Sequence, residues 1–244
     1  KHCSSDPMPT WLLKKSAADV LSLFLCRLFT WSLEQGTVPT AFKSAYVTPL
    51  LKKPDLDPSD VKSYRPISNL SVISKLLERI VSSQLVDYLK THGLLPRLQS
   101  AYLPYHSTET AVLKVISDIL FALDSGDLAM LTLLDLSAAF DSVDHVTLIK
   151  RLRISYGLSC TVIDWFASYL SDRTQCVRTA GSSSAPLPVW FGVPQGSVLG
   201  PILFLLYTAD LISLIEHHLT VLLTKHKFME IVHHHILTSC AREH

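Results

Sequence analysis

Residues 131–145 read LTLLDLSAAFDSVDH. The apolar run that opens this stretch has the length and composition of a short strand buried on both faces. It delivers Asp135 at its end and passes at once into a helix start. A carboxylate placed there is held by rigid backbone and can face a cleft. Divalent cations that serve phosphoryl transfer need such oxygen ligands, with coordination positions left open for substrate phosphates. Five residues on, Phe140 is bulky where the chain turns into the helix. The residues alone leave a second reading open, in which Asp135 and Asp141 cap a helix and Phe140 is core.

Downstream, residues 191–207 read FGVPQGSVLGPILFLLY. Gly192, Gly196 and Gly200 frame Pro194 and Gln195. Such a loop lets backbone approach a ligand closely, and the Gln195 amide offers both a donor and an acceptor. It lacks the GxxxxGK[ST] pattern of a P-loop. Upstream, FKSAYVTPLLKK is followed by SYRPISNLSVISKLLERI, so Lys52 and Lys53 end a strand shortly before Arg65. These cations can meet a triphosphate, Arg binding two oxygens at once; a solvated basic loop is the blander alternative. Residues 43–79 carry seven basic and four acidic side chains, 116–144 six aspartates and no Lys or Arg, and 150–178 five basic against two acidic. That order suits a metal-collecting site between phosphate-facing surfaces, although solvated faces alternating by chance would give it too.

Helical spacing of Trp11, Leu12, Val20, Leu21, Phe24, Leu28 and Trp31 predicts an amphipathic helix over 10–32. Strands are expected at 45–51 and 130–136, and a hairpin at 175–179 and 187–191 around Gly181 and three serines. Helices are expected at 74–90 (inner face Leu77, Ile80, Val81, Leu85 and Leu89), after Ser107 (Ala111, Val112, Val115, Ile119 and Leu123 inside), at 141–156, at 161–170 after Ser159, and from Pro201 to about 215. Mixed helices and strands make this an α+β chain.

At 244 residues and 48% hydrophobic composition the chain can bury a sizeable core. A net charge of +1 lends a nucleic-acid role no support from bulk charge. The five cysteines form no CxxC pair, so free thiols are expected rather than a zinc site or disulfide framework. No signal-peptide pattern opens the chain, and the longest apolar stretch, 202–215, is interrupted by Asp210 and falls short of the roughly 20 residues a span needs. An intracellular, soluble protein with no membrane partner is the expectation. Seven of the eleven histidines lie from His217 onward, without HExxH spacing, so they are read as a tail of changed character and not as a zinc site.

Taken in order with QSAYLPYHSTETAVLKV at 99–115, these blocks resemble the reverse transcriptases of non-LTR (LINE-type) retrotransposons, of the jockey and chicken-repeat kind. The similarity runs from about residue 6 to about residue 221. It implies the fingers and palm of a right-hand polymerase, with an N-terminal helical extension at 1–40, fingers and part of the palm at 41–128, palm core at 129–220 and a divergent tail at 221–244. It implies RNA-directed DNA synthesis from an RNA template, a DNA primer and dNTPs, with two Mg²⁺ ions. By the same resemblance Asp135 is the first metal-binding aspartate, and Phe140 the bulky residue that stacks under the sugar and excludes a 2′-hydroxyl. Pro194, Gln195 and Gly196 form the loop on the incoming nucleotide and template; Arg65, with Lys52 or Lys53, holds the triphosphate.

One departure stands against this agreement. The family next carries a Tyr/Phe-Ala-Asp-Asp turn, and this sequence has no Asp-Asp pair. Asp210 belongs to the helix after the glycine loop and does not replace it. The expected chain has an incomplete palm, no thumb, and no activity of its own. The rival readings are a decayed or domesticated remnant that binds nucleic acid or protein without catalysis, and an RNA-dependent RNA polymerase, against which Phe140 argues. The tail after Val221 is expected to be poorly packed, because Lys225, His226, Lys227, Glu230 and the three adjacent histidines break any alternating pattern.

Overall fold

A computed structural model describes residues 20–95, 100–101, 105–135, 139–179, 181–214 and 229–236. Contacts divide the chain into two compact units, one of residues 1–92 and 140–207, the other of residues 93–139 and 208–244.

The first unit is built on a four-stranded sheet in the order β2-β1-β4-β5, from β1 (Ser44–Leu51), β2 (Tyr64–Asn69), β4 (Arg173–Val177) and β5 (Leu187–Val189). β1 runs antiparallel to β2 and parallel to β4, and β4 and β5 form the expected hairpin. Along β1, Ala45 and Val47 are buried while Ser44, Thr48 and Leu50 are exposed, the alternation of a sheet with one solvated face.

Helices α1 (Val20–Glu34), α2 (Val72–Thr91), α4 (His145–Ile154) and α5 (Cys160–Leu170) belong to the same unit, where α6 (Gly200–Leu214) also begins. α5 packs against both α1 and α4. Leu77, Leu89, Leu148, Leu152, Ile163, Phe166 and Leu203 are almost wholly buried. Pro201 sits in the first turn of α6, where its missing N–H leaves no helix bond unmade.

The second unit contains α3 (Thr108–Asp124) and a two-stranded antiparallel sheet of β3 (Leu128–Asp135) and β6 (Met229–Ile236). Ser107 caps α3 through a reciprocal capping box with Thr110.

Several expectations need correction. The described part of the first predicted helix is Val20–Glu34, and residues before Val20 lie outside the described set. Its buried positions include Phe29 and Ser32, whereas Phe24 and Trp31 are exposed. Ser32 is buried because its hydroxyl donates to the Thr37 carbonyl and accepts from the Trp165 indole, a partner no helical periodicity reveals. Ile80, Val112 and Leu123 are exposed although their helices were expected to bury them.

The helix expected over 141–156 begins later. Residues Ala139–Ser142 form a 3₁₀ turn, and the Asp144 side chain accepts from the Thr147 N–H to cap α4. Of the tail expected to be poorly packed, the described part, Met229–Ile236, pairs along its backbone with β3, Asp135 opposite Met229, and the rest lies outside the described residues. Ladder bonds use backbone groups, so adjacent histidines do not prevent pairing with an open strand edge.

Leu203 is fully buried while Leu50 is 56% exposed. Leu203→Ala should therefore cost about 2–5 kcal/mol, and Leu50→Ala no more than about 0.5 kcal/mol. Urea denaturation of the two variants beside the parent chain checks the difference; equal losses would place Leu203 outside the core.

Candidate nucleotide-handling site

The glycine-containing loop at 192–200 is fixed on three sides, twice by backbone–backbone bonds and once by a side-chain carboxylate, all within the first unit. Its start bonds to the turn after β3: Gly192 donates to the Val143 carbonyl and Val193 to the Phe140 carbonyl, each at 2.8 Å. The His145 ring nitrogen Nε2 lies 2.8 Å from the Gly192 carbonyl, so it carries the proton and donates. The loop's centre bonds to β2, where the Ser68 N–H donates to the Gln195 carbonyl at 2.8 Å.

Its end is held by α2. Glu78 Oε2 accepts from the N–H groups of Val198 (2.6 Å) and Leu199 (3.3 Å), just before α6 begins. Ser197 Oγ accepts from the Gly200 N–H at 2.8 Å.

Two glycines are required by this packing. Gly192 has φ +85°, and a Cβ there would lie 2.8 Å from the Phe140 carbonyl oxygen and 2.9 Å from Asp141 Cα. Gly196 has φ +115°, and its Cβ would meet the Ser68 carbonyl oxygen at 2.7 Å. Backbone meets backbone at both places, so neither neighbour can rotate away.

Glu78 is 2% exposed. Burial pushes its pKa up from the usual carboxylate range, against the opposing pull of the Val198 and Leu199 N–H groups and the charges of Arg173 and Lys75. Arg173 is also buried; its Nη1 donates to the Tyr169 carbonyl at 2.9 Å and its guanidinium lies 4.9 Å from the centre of the Tyr169 ring. Beside the loop a cavity of about 270 Å³ is lined from β1, β2, β4 and the loop itself, with Asp141 and Arg173 on its wall. Partial burial raises the pKa of Asp141.

The sequence-derived residues fall as follows. Pro194, Gln195 and Gly196 sit at the loop's bend, Pro194 and Gln195 lining the cavity. Phe140 is half-buried, its ring centroid 5.5 Å from that of Phe204 in α6. Arg65 lies on β2 opposite Leu50 of β1. Lys52 and Lys53 are exposed where β1 ends, and the Lys52 ammonium donates to the Lys62 carbonyl at 2.7 Å across the turn. Asp135 is the last residue of β3, as expected, in the second unit.

Two positions that hold the loop, Glu78 and His145, carried no signal in the sequence. A glutamate on a helix and a histidine after an aspartate read as solvated groups until their partners are known. Among the described residues no group of three or more His, Cys, Asp or Glu comes together. No helix of the described residues is long and apolar enough to cross a membrane.

Residues 51–235 match the model of a family described as reverse transcriptase (RNA-dependent DNA polymerase). The chain is 35% identical over 189 residues to a Drosophila melanogaster protein described as probable RNA-directed DNA polymerase from transposon BS, and 32% identical over 188 residues to the RNA-directed DNA polymerase from mobile element jockey of the same organism. These alignments cover 78% and 77% of the chain and 20% of each relative, so the chain spans about a fifth of their length. Among solved structures, apo telomerase from Candida tropicalis superposes with a TM-score of 0.51 at 14% identity, covering 86% of this chain and 49% of that one. That likeness shows a shared fold.

Glu78→Gln should keep the loop in place, because one amide oxygen can accept both N–H groups; Glu78→Leu leaves them buried without an acceptor and should cost about 1–3 kcal/mol for each group. A carboxyl whose folded pKa is raised stabilises most when protonated. The parent chain should therefore lose stability relative to Glu78→Gln as pH rises from below the ordinary glutamate value up through the raised one. Urea midpoints from pH 4 to 8 test this, and parallel curves for the two proteins would mean that Glu78 is not buried as described.

Proposed function

The chain belongs to the reverse transcriptase (RNA-dependent DNA polymerase) family, as a domain of the LINE type, and we propose that it forms the part of an RNA-directed DNA polymerase that seats an incoming nucleotide against its template. The observation that carries this reading is the junction inside the first unit. Three blocks that are far apart in sequence, SYRPISN, AFDSVDH and GVPQGSVLG, are joined there by direct backbone bonds around Gln195.

In this reading the primer 3′-hydroxyl attacks the α-phosphate of a dNTP, the O–P bond forms, and pyrophosphate leaves. Gln195, at the bend between Pro194 and Gly196, contacts the nucleotide and template. Phe140 lies under the sugar, where its ring leaves no room for a 2′-hydroxyl, and its packing on Phe204 holds it. Arg65 binds triphosphate oxygens from the fingers, with Lys53 and Lys52 beyond it. Lys52 has a share in holding its own turn, so Lys53 reports phosphate attraction more cleanly.

Magnesium serves this chemistry by stabilising charge on the transferring phosphoryl group. Asp135 is the carboxylate assigned to it, and one carboxylate supplies too few oxygens to fix two ions. The seating of substrate and the chemical step are therefore separable in this chain.

Binding of a labelled RNA–DNA template–primer should weaken when Lys53 and Arg65 are both changed to alanine, with a shallower dependence on salt, by about one phosphate contact for each residue lost. Primer extension with dNTPs and Mg²⁺ or Mn²⁺ should be undetectable. Unchanged binding and salt slope in the double variant would overturn the phosphate assignment. Extension that vanishes in Asp135→Ala would show that further acids of this chain complete the metal site.

A further inference from the structure

The Tyr169 hydroxyl is buried and has no hydrogen-bond partner among the described residues. Its ring is held in place. Tyr169 is 1% exposed, its ring stacks on Trp165 with 5.7 Å between centroids and 10° between planes, and the Arg173 guanidinium sits over it. Trp165 is anchored in turn, its indole donating to the Ser32 hydroxyl. Buried polar atoms in folded proteins are nearly always paired, so a fixed hydroxyl left alone calls for a reason.

Two side chains in its electrostatic reach supply one, Glu78 and Ser197. Both belong to the end of the glycine-containing loop: Glu78 holds it from α2, and Ser197 is part of it. Glu78 Oε2 takes the Val198 and Leu199 N–H groups, whereas Oε1 receives a long bond of 3.4 Å from the Ser74 hydroxyl. A carboxylate has about four lone-pair sites, so Oε1 can take a stronger donor. Ser197 Oγ accepts from the Gly200 N–H, which leaves its own proton to be directed elsewhere. Burial, reinforced by the Glu78 charge, pushes the pKa of Tyr169 up, so the group stays an O–H and donates.

We infer that Tyr169 is a positioning residue for the loop: its hydroxyl donates to Glu78 Oε1, accepts from the Ser197 hydroxyl, and clasps the loop's end from α5 as Glu78 clasps it from α2. The last torsion of a glutamate side chain is soft, so a turn of the carboxylate can close this bond while the stacked ring stays still. That the clasp serves nucleotide seating rests on the polymerase reading; the clasp itself does not.

The test compares the full chain with Tyr169→Phe, which keeps the ring, its stack on Trp165 and its contact with Arg173. Amide hydrogen exchange at Val198 and Leu199 should quicken about tenfold, the lower end of what a hydrogen bond to a charged group contributes, while amides in the middle of α2 exchange as before. A pH profile separates this from a packing role. A donor to the ionised carboxyl favours that form, so losing it should move the pH dependence of stability, measured against Glu78→Gln, to higher pH. In the Glu78→Gln background, Tyr169→Phe should add no pH dependence. A second reading needs no deletion: the fluorine signal of 3-fluorotyrosine placed at position 169 should shift as Glu78 titrates, and should not shift in Glu78→Gln.

Unchanged exchange at Val198 and Leu199, equal acceleration throughout α2, or a fluorine signal indifferent to Glu78 would overturn the clasp. Binding of the labelled template–primer tests the other half. Tyr169→Phe should weaken it without altering its salt slope, since no phosphate contact is lost. Quickened exchange with unchanged binding would overturn the role of the loop in nucleotide seating and leave the clasp standing.

Discussion

One buried carboxylate ties the first unit's site together. Glu78 projects from the middle of α2 and accepts the N–H groups of Val198 and Leu199, which precede α6 and have no helical acceptor of their own. An anion at this end of α6 also meets the positive end of the helix dipole. Taking a carboxylate out of water is costly, as its raised pKa records. Two charge-assisted bonds and the Arg173 charge nearby offset part of that cost. Removing Glu78 would leave the loop attached at its first half, through Phe140, Val143 and Ser68, and free at its second.

Because the loop is pinned at both ends, its middle cannot drift. Gly192 and Gly196 let backbone touch backbone on opposite sides, against the turn carrying Phe140 and against β2. The bend at Pro194 and Gln195 is consequently set by three separate parts of the chain. Preorganisation of this kind lets a polar side chain meet a ligand without first losing conformational freedom. The aromatic pair Phe140–Phe204 couples the same turn to α6, so the side chain assigned to the sugar and the helix that ends the loop share one packed contact.

Much of this was legible in the sequence, for local reasons. Glycines at fixed offsets around Pro-Gln announced a loop of close approach; Ser107 announced a helix start; an apolar run ending in Asp135 announced a strand with its acid at the tip. What escaped reading depends on partners distant in sequence. Lys43 and Arg173 were counted as cations of basic, phosphate-facing segments, yet both are buried. Burial lowers the pKa of Lys43 against the charge of Asp172, and Arg173 turns inward to Tyr169 and Glu78. Ser32 looked like the polar side of a helix and is buried because Trp165 donates to it. Composition cannot separate a solvated charge from one held inside by a partner more than a hundred residues away.

The aspartate-rich stretch between Ile116 and Asp144 makes the same point about metals. Read as a string, six aspartates without a cation suggest a place that gathers divalent ions. In the fold several are committed elsewhere. Asp118 pairs with Lys114 one helical turn away. Asp144 caps α4, and its hydrogen bonds to Thr147 hold its pKa below the ordinary value. Asp141 lines the cavity, with its pKa moved the other way by burial. Opposite shifts three residues apart follow from environment alone, since one carboxylate accepts an N–H and the other loses water without gaining a partner charge. Asp135 differs from these in ending a strand instead of serving a helix, which is the property the metal assignment needs. The number of acids in a run says little about metal binding; which backbone element each one ends, and which N–H it already accepts, says more.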